Sequence, residues 1–156
     1  LRNLYLENKL VQPRALTVCG QLLDLSQLDI PVYIYGSRED HIVPINAAYA
    51  STQHLPGSKR FVMGASGHIA GVINPPAKNK RSHWIRDDDE LPESHADWLA
   101  GASERPGSWW TDWSQWLAQQ GGKQVAAPKR YGRGKDFQQI EPAPGRYVRQ
   151  KAGTNS

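Results

Sequence analysis

The sequence predicts an α/β fold built on parallel strands, and three consecutive stretches predict it. "DIPVYIYGS" (29–37) enters on Pro31, continues through β-branched and aromatic residues and leaves on Gly36, the pattern of a central strand. "PINAAYASTQHL" (44–55) has helix-forming alanines with apolar spacing and is stopped by "PG" at 56 and 57. "SKRFVMG" (58–64) is a second short strand ended by Gly64. Strand, helix and strand in this order form a βαβ unit, whose two strands lie parallel and are joined by a right-handed crossover.

The rest of the chain is read in the same way. The opening "LRNLYLENKL" starts at Leu1 without an initiator Met and has the look of a helix interior, so a piece of a longer protein is expected. "NPPAKNKRSHW" (74–84) carries Pro75, Pro76 and a basic run, the signature of an extended surface loop. "DDDELPESHADWLAGA" gives an acidic turn leading into a short helix at about 95–102. "SWWTDWSQWLAQQGG" (108–122) puts Trp109, Trp113, Trp116 and Leu117 on one helical face, best explained by packing on the sheet; Trp110 lies off that stripe. Residues 121–156, rich in Gly, Pro and charge, are predicted to be an extended arm with disordered last residues.

Composition narrows the function. A length of 156 residues suffices for one modest domain with a core. The single cysteine, Cys19, excludes an intramolecular disulfide and suits a reducing compartment. There is no run of about 20 apolar residues, so no membrane-spanning helix is predicted. The net charge of +4 belongs to the tail: residues 121–156 hold eight Lys and Arg against two Asp and Glu, while residues 1–120 hold eleven against thirteen. A basic nucleic-acid-binding domain is therefore a poor description of the chain as a whole.

The chemistry-bearing residues fall at the strand ends. Asp40 follows the first strand and His68 the second. Loops leaving neighbouring parallel strands emerge on one edge, about 4.8 Å apart, where open α/β sheets place their sites. A carboxylate beside an imidazole there can fix its tautomer and leave it to act as a general base. A plainer description also fits, with Asp40 a turn residue or cap and "SGH" an ordinary loop. His41 adjoins the acid and can simply shape the pocket, and Arg38 and Glu39 read as a solvated pair. In α/β-hydrolases a nucleophile on a strand-to-helix elbow precedes the acid and then the histidine. No G-x-S-x-G or G-x-C-x-G elbow occurs here, and "TVCGQ" around Cys19 lacks the first glycine and lies too close to Asp40. Cys19 is predicted to be a buried or partly buried structural thiol, with the nucleophile upstream, off this chain.

The stretches "LTVCG", "PVYIYGSREDHIVP", "FVMGASGHIAGVINPPAKNKRSHW", "LPES", "GSWWTDWSQWL" and "IEPAPGRYV" together resemble the C-terminal part of a poly(3-hydroxyalkanoate) synthase, the class I type above all, from Leu1 to about Lys151. Members of that family often carry Trp directly after "HIVP", where this chain has Ile45. The resemblance implies the C-terminal portion of an α/β-hydrolase fold. Residues 1–9 would end a cap, 10–120 would belong to the catalytic domain and 121–156 would form the basic tail.

It implies an acyltransferase that polymerises 3-hydroxyacyl-CoA, above all 3-hydroxybutyryl-CoA, into polyester with release of CoA. An upstream cysteine would carry the acyl group, His68 would deprotonate it, and Asp40 would orient His68 and assist the incoming 3-hydroxyl. By nearness to both catalytic tips, Ile42 and the stretch from Ile69 to Asn74 would line the acyl pocket, ordinary core packing serving equally well for Ile42. Trp110, off the helical stripe, is a candidate to hold an apolar polymer surface or a partner subunit. The "PAKNKRSHW" run would either meet CoA phosphates or be solvated. No metal or cofactor is implied, CoA being the leaving group. The implied partners are the acyl-CoA, the growing polyester, the granule surface and a second copy of the enzyme, in the cytoplasm. This chain alone would be inactive for want of the nucleophile. An esterase or polyester depolymerase of the same fold, and a non-catalytic polymer-binding module, stay open beside this reading; an upstream cysteine favours CoA thioester exchange, a serine hydrolysis.

Overall fold

The computed structural model describes residues 1–153, which divide into two units, residues 1–120 and a second beginning at Gly121. The first unit opens on two short turns, Arg2–Leu6 and Lys9–Val11, in place of a long helix. A small antiparallel hairpin follows, β1 (Leu16–Val18) and β2 (Gln21–Leu23). Its two-residue turn is Cys19 and Gly20, with φ of 48° and 79°, as a tight hairpin turn requires positive φ at both central residues. That turn corrects the expectation for Cys19. Its side chain stands exposed at the hairpin tip, because a position on a two-residue turn has no neighbouring layer to bury it.

The βαβ unit forms β3 (Val32–Ser37), α1 (Ile45–His54) and β4 (Lys59–Gly64). The strands pair in parallel from Val32 with Lys59 to Ser37 with Gly64. The sheet then turns antiparallel through β5 (Ser82–Ile85) and β6 (Ser103–Pro106), giving the order β3-β4-β5-β6. It is a mixed α/β sheet. Two expectations are corrected here. β3 is an edge strand of this sheet rather than a central one. The basic loop is also shorter than predicted, since its last residues, "SHW", enter β5. Asn79 and Arg81, both at positive φ, turn the chain back onto β4, and the prolines before them hide the strand from a reading of local pattern. β6, "SERP", has no strand propensity of its own. Its pairing with β5 imposes the conformation, since cross-strand context outweighs propensity.

The sheet is covered on both faces, and the period-2 alternation of β4 shows how. Phe61 and Met63 point to one side, where they pack with Tyr49 of α1 and Trp98 of α2 (His95–Ala100). Val62 points to the other, with Ile85 of β5 and Trp109. α1 lies so close to β3 that a Cβ on Gly36 would stand 2.6 Å from Ile45 Cδ1 and 3.1 Å from Ala48 Cβ. Glycine at 36 is thus a requirement of close approach.

α3 (Trp110–Gln120) lies on the second face. Trp109, just before it, stacks on Tyr35 with ring centres 4.3 Å apart, and Trp116 meets the edge of Tyr33 at 5.4 Å. Trp113 and Leu117 remain 38% and 41% exposed, so only part of the predicted stripe is covered. An ion pair fastens the helix. Asp112 receives Arg60 of β4 through both carboxylate oxygens and the Tyr33 hydroxyl at 2.9 Å. Burial pushes the Asp112 carboxyl up, but the bonds from Arg60 and Tyr33 outweigh it and hold the group below its ordinary value.

In the second unit the described residues hold one short 3₁₀ helix, Tyr147–Arg149, and a bridge between Arg133 and Phe137. Nearly all its side chains are exposed, Val125, Tyr131, Ile140 and Tyr147 by more than 80% each. The expectation of disorder at the very end falls on residues 154–156, outside the described residues. No helix among the described residues is long and apolar enough to cross a membrane.

Trp98 is 1% exposed at the centre of the larger cluster. Trp98→Ala is expected to lower unfolding free energy by about 3–5 kcal/mol, the range for removing a buried large aromatic, and Trp113→Ala by about 1 kcal/mol or less, as at a surface position. Urea denaturation of the two variants measures the contrast, and equal losses would contradict this assignment of the core.

Candidate functional site

Backbone hydrogen bonds between the two chains do not stop where the strands do. Past Ser37 and Gly64, the Arg38 N–H donates to the Gly64 carbonyl at 2.8 Å and the Glu39 N–H to the Ser66 carbonyl at 3.0 Å. The two loops therefore leave the sheet still paired. Ser66 takes a left-handed conformation, φ 75°, as the second loop turns out of the ladder. Asp40 and His68 stand next along these two paths.

They meet. Asp40 Oδ2 lies 2.8 Å from His68 Nδ1. The other oxygen, Oδ1, accepts the backbone N–H groups of Ile42 and Val43, each at 2.9 Å. Asp40 thus does both things read from the sequence: one oxygen holds a turn and the other an imidazole. Its side chain is 8% exposed, whereas His68 is 43% exposed. The Val43 N–H is the foremost cause of a lowered Asp40 pKa; burial opposes it, and His68 and the Ile42 N–H add to it. Together they hold the carboxyl at about 2, against an ordinary 3.8. An ionised Asp40 can only accept, so Nδ1 carries the proton and the lone pair of His68 is on Nε2. An imidazole in that tautomer is arranged to take a proton at Nε2.

Beside the pair is a cavity of about 200 Å³ lined by Tyr35, Ser37, Val43 and Val72, among others. Tyr35 and Ser37 share a hydroxyl–hydroxyl hydrogen bond of 3.0 Å at its wall, and burial pushes the Tyr35 phenol up, keeping it neutral. Ile42 and Ile69 are not among the lining residues and are 60% and 69% exposed. The turn anchored by Asp40 brings Val43 to the cavity in place of Ile42. Val72 falls in the stretch 69–74 expected to line the pocket, whereas Val43, Tyr35 and Ser37 were not singled out in the sequence. The last two were legible in principle, since alternation along β3 puts 35 and 37 on one face.

The other candidates lie apart from the pair's hydrogen bonds. Arg38 and Glu39 form an exposed ion pair at 3.1 Å, and the Arg38 guanidinium lies 4.8 Å from the Trp84 ring centre. His41 is exposed. Cys19 occupies a hairpin turn rather than a strand-to-helix elbow. Trp110 donates its indole N–H to the Val72 carbonyl at 2.9 Å. Among the described residues no group of three or more His, Cys, Asp and Glu is placed to hold a metal ion.

No family model matches the chain. It is 64% identical over 152 residues to the poly(3-hydroxyalkanoate) polymerase subunit PhaC of Cupriavidus necator, covering 97% of this chain and 25% of that protein. It is 40% identical over 151 residues to the subunit of the same name from Rhizobium etli, covering 97% and 23%. It is 33% identical over 151 residues to poly(3-hydroxyalkanoate) polymerase 1 of Ectopseudomonas oleovorans, covering 97% and 26%. The chain spans about a quarter of the length of the curated relatives it matches.

The carboxyl carbon of Asp40, followed by NMR, is expected to titrate near pH 2. The sign follows from linkage. A carboxylate whose pKa is depressed on folding contributes stability that is complete above its unfolded value, near 4, and is lost as pH falls from there through about 2. A midpoint at or above 3.8 would mean that the Ile42, Val43 and His68 contacts do not form.

Proposed function

We propose, from the premise that this chain belongs to the poly(3-hydroxyalkanoate) polymerase family, that it is the acid–base half of an acyl-transfer site whose nucleophile lies elsewhere in the intact enzyme. The observation that carries this reading is the 2.8 Å bond between Asp40 and His68, made by two loops that leave paired parallel strands. In this reading the chain is the C-terminal portion of an α/β-hydrolase domain. Residues 1–9 end a cap, residues 10–120 complete the catalytic domain and the basic residues beyond them form a tail.

The chemistry follows from the tautomer. His68 Nε2 takes the proton of a cysteine thiol supplied upstream, and the thiolate adds to the thioester carbon of a 3-hydroxyacyl-CoA, 3-hydroxybutyryl-CoA above all. The bond to CoA sulfur breaks, and CoA leaves with the proton that His68 returns. An acyl-enzyme remains, and the 3-hydroxyl of a further acyl group adds to its carbonyl carbon while the pair accepts the hydroxyl proton. One ester bond forms, the cysteine–acyl bond breaks, and the pair passes that proton to the departing cysteine sulfur. Asp40 stays ionised throughout, fixes the ring and stabilises the imidazolium each time it forms. No metal or cofactor takes part, CoA being part of the substrate. Ile42 and Ile69, exposed at the same rim, meet the acyl chain or the polymer outside the small cavity. The partners are the acyl-CoA, the growing polyester and its cytoplasmic granule, with a second copy of the enzyme.

Two measurements test this. The chain alone is expected to release no CoA from 3-hydroxybutyryl-CoA; measurable release would place the nucleophile within these residues. In the intact enzyme, Asp40→Asn and His68→Gln are each expected to lower kcat by about 10²-fold or more, the scale of a lost general base. Near-normal turnover in either would remove that residue from the mechanism.

A further inference from the structure

The loop that carries His68 is open to solvent on its outer side: Ile69 and Ile73 are 69% and 60% exposed. It is a short helical turn, with the Gly71 N–H on the Gly67 carbonyl at 2.8 Å and the Ile73 N–H on the Ile69 carbonyl at 2.9 Å. Such a turn leaves its last carbonyls without partners inside it. Three side chains in succession reach them, the Val72 carbonyl also accepting the Asn74 N–H at 3.1 Å. Trp109 Nε1 donates to the Gly71 carbonyl at 3.2 Å, Trp110 Nε1 to the Val72 carbonyl at 2.9 Å, and Ser108 Oγ to the Asn74 carbonyl.

These donors are built in from below. Ser108 Oγ also accepts the Trp110 N–H at 3.0 Å, which ties the donors to the start of α3. Trp109 stacks on Tyr35, in the strand that delivers Asp40. One indole therefore holds the histidine's loop and touches the acid's strand. The fit leaves no slack at Gly71, where a Cβ would stand 2.5 Å from Ser37 Oγ and 2.8 Å from the carbonyl oxygens of Ala65 and Gly67. Val72, whose carbonyl Trp110 holds, also lines the cavity beside the pair.

We infer that Trp110, with Trp109 beside it, is a positioning residue for His68: its indole N–H on the Val72 carbonyl sets where the imidazole stands relative to Asp40 and the cavity. This rests on the acyl-transfer role proposed above. It assigns to Trp110 a task different from contact with polymer or a partner subunit. The distance scale makes the effect large, since a displacement of about 1 Å at a reacting group costs on the order of 10²-fold. A loop held by three side-chain hydrogen bonds shifts by less than that when one is lost.

The test removes the donor and keeps the ring. In the intact enzyme that carries this chain, Trp110→Phe is expected to lower kcat for 3-hydroxybutyryl-CoA about tenfold, with KM within about twofold, because only the alignment of reacting groups changes. Trp113→Phe, on the same helix and half-exposed, is expected to leave kcat unchanged. In an Asp40→Asn background, Trp110→Phe is expected to lower kcat by less than about twofold further, since both changes act through one imidazole. Unchanged kcat in Trp110→Phe overturns the inference, and so does the same tenfold loss in both backgrounds, which is what a merely structural tryptophan gives. If Trp110→Phe does not fold, Trp109→Phe, which keeps the Tyr35 stack and drops the bond to Gly71, is read by the same criteria. His68→Gln separates the two levels. Near-normal turnover there removes the acyl-transfer reading itself, whereas an inactive His68→Gln beside a fully active Trp110→Phe removes only the role of the tryptophan.

Discussion

The pairing of β3 with β4 in parallel, with the hydrogen bonds that join the two loops leaving them, is the constraint on which the rest of this molecule depends. A parallel register fixes which residue stands beside which along both chains. Past the strands Arg38 and Glu39 still donate to Gly64 and Ser66, with a shift of one residue from the strand register that sets Asp40 opposite His68. The two side chains do not have to find each other across a mobile gap. Backbone hydrogen bonds between the two loops deliver them to hydrogen-bonding distance.

Asp40 then shows how one carboxylate can serve structure and chemistry together. Two backbone N–H groups on Oδ1 keep it ionised and nearly buried, and they leave Oδ2 for His68. A carboxylate held only by the histidine would be free to rotate, and its charge would depend on its partner's state. The backbone donors remove that dependence, because they stay in place whether or not the imidazole is protonated. The closing of the 40–43 turn and the orientation of the imidazole are one arrangement.

The second face of the sheet supports the site from below. The Arg60–Asp112–Tyr33 cluster fastens the start of α3 to β3 and β4. The residues just ahead of that anchor, Ser108 to Trp110, reach the carbonyls behind His68. The aromatic content of this region is thus divided by task. Trp98 fills the opposite core, Trp109 and Trp116 pack on the tyrosines of β3, and Trp113, partly exposed, lies beside Trp109.

What the sequence determined by itself was local or adjacent. The βαβ unit was legible because its strands are apolar and β-branched, its helix is alanine-rich and its ends carry Pro and Gly, all short-range effects. Asp40 and His68 were legible because parallel pairing sends both loops to one edge. Tertiary structure alone decided the rest. β5 and β6 exist because "SHWI" and "SERP" find each other and β4, and nothing in "SERP" prefers a strand. Cys19 is exposed because its hairpin turn has no covering layer, which no hydrophobicity scale reports for one residue. Val43 in place of Ile42 faces the cavity because Asp40 closes a turn there, and the grip of Trp109 and Trp110 on residues 71 and 72 spans 38 residues of chain. Contacts of that separation follow from how whole layers pack, and a linear pattern carries only the periodicities that layers later use.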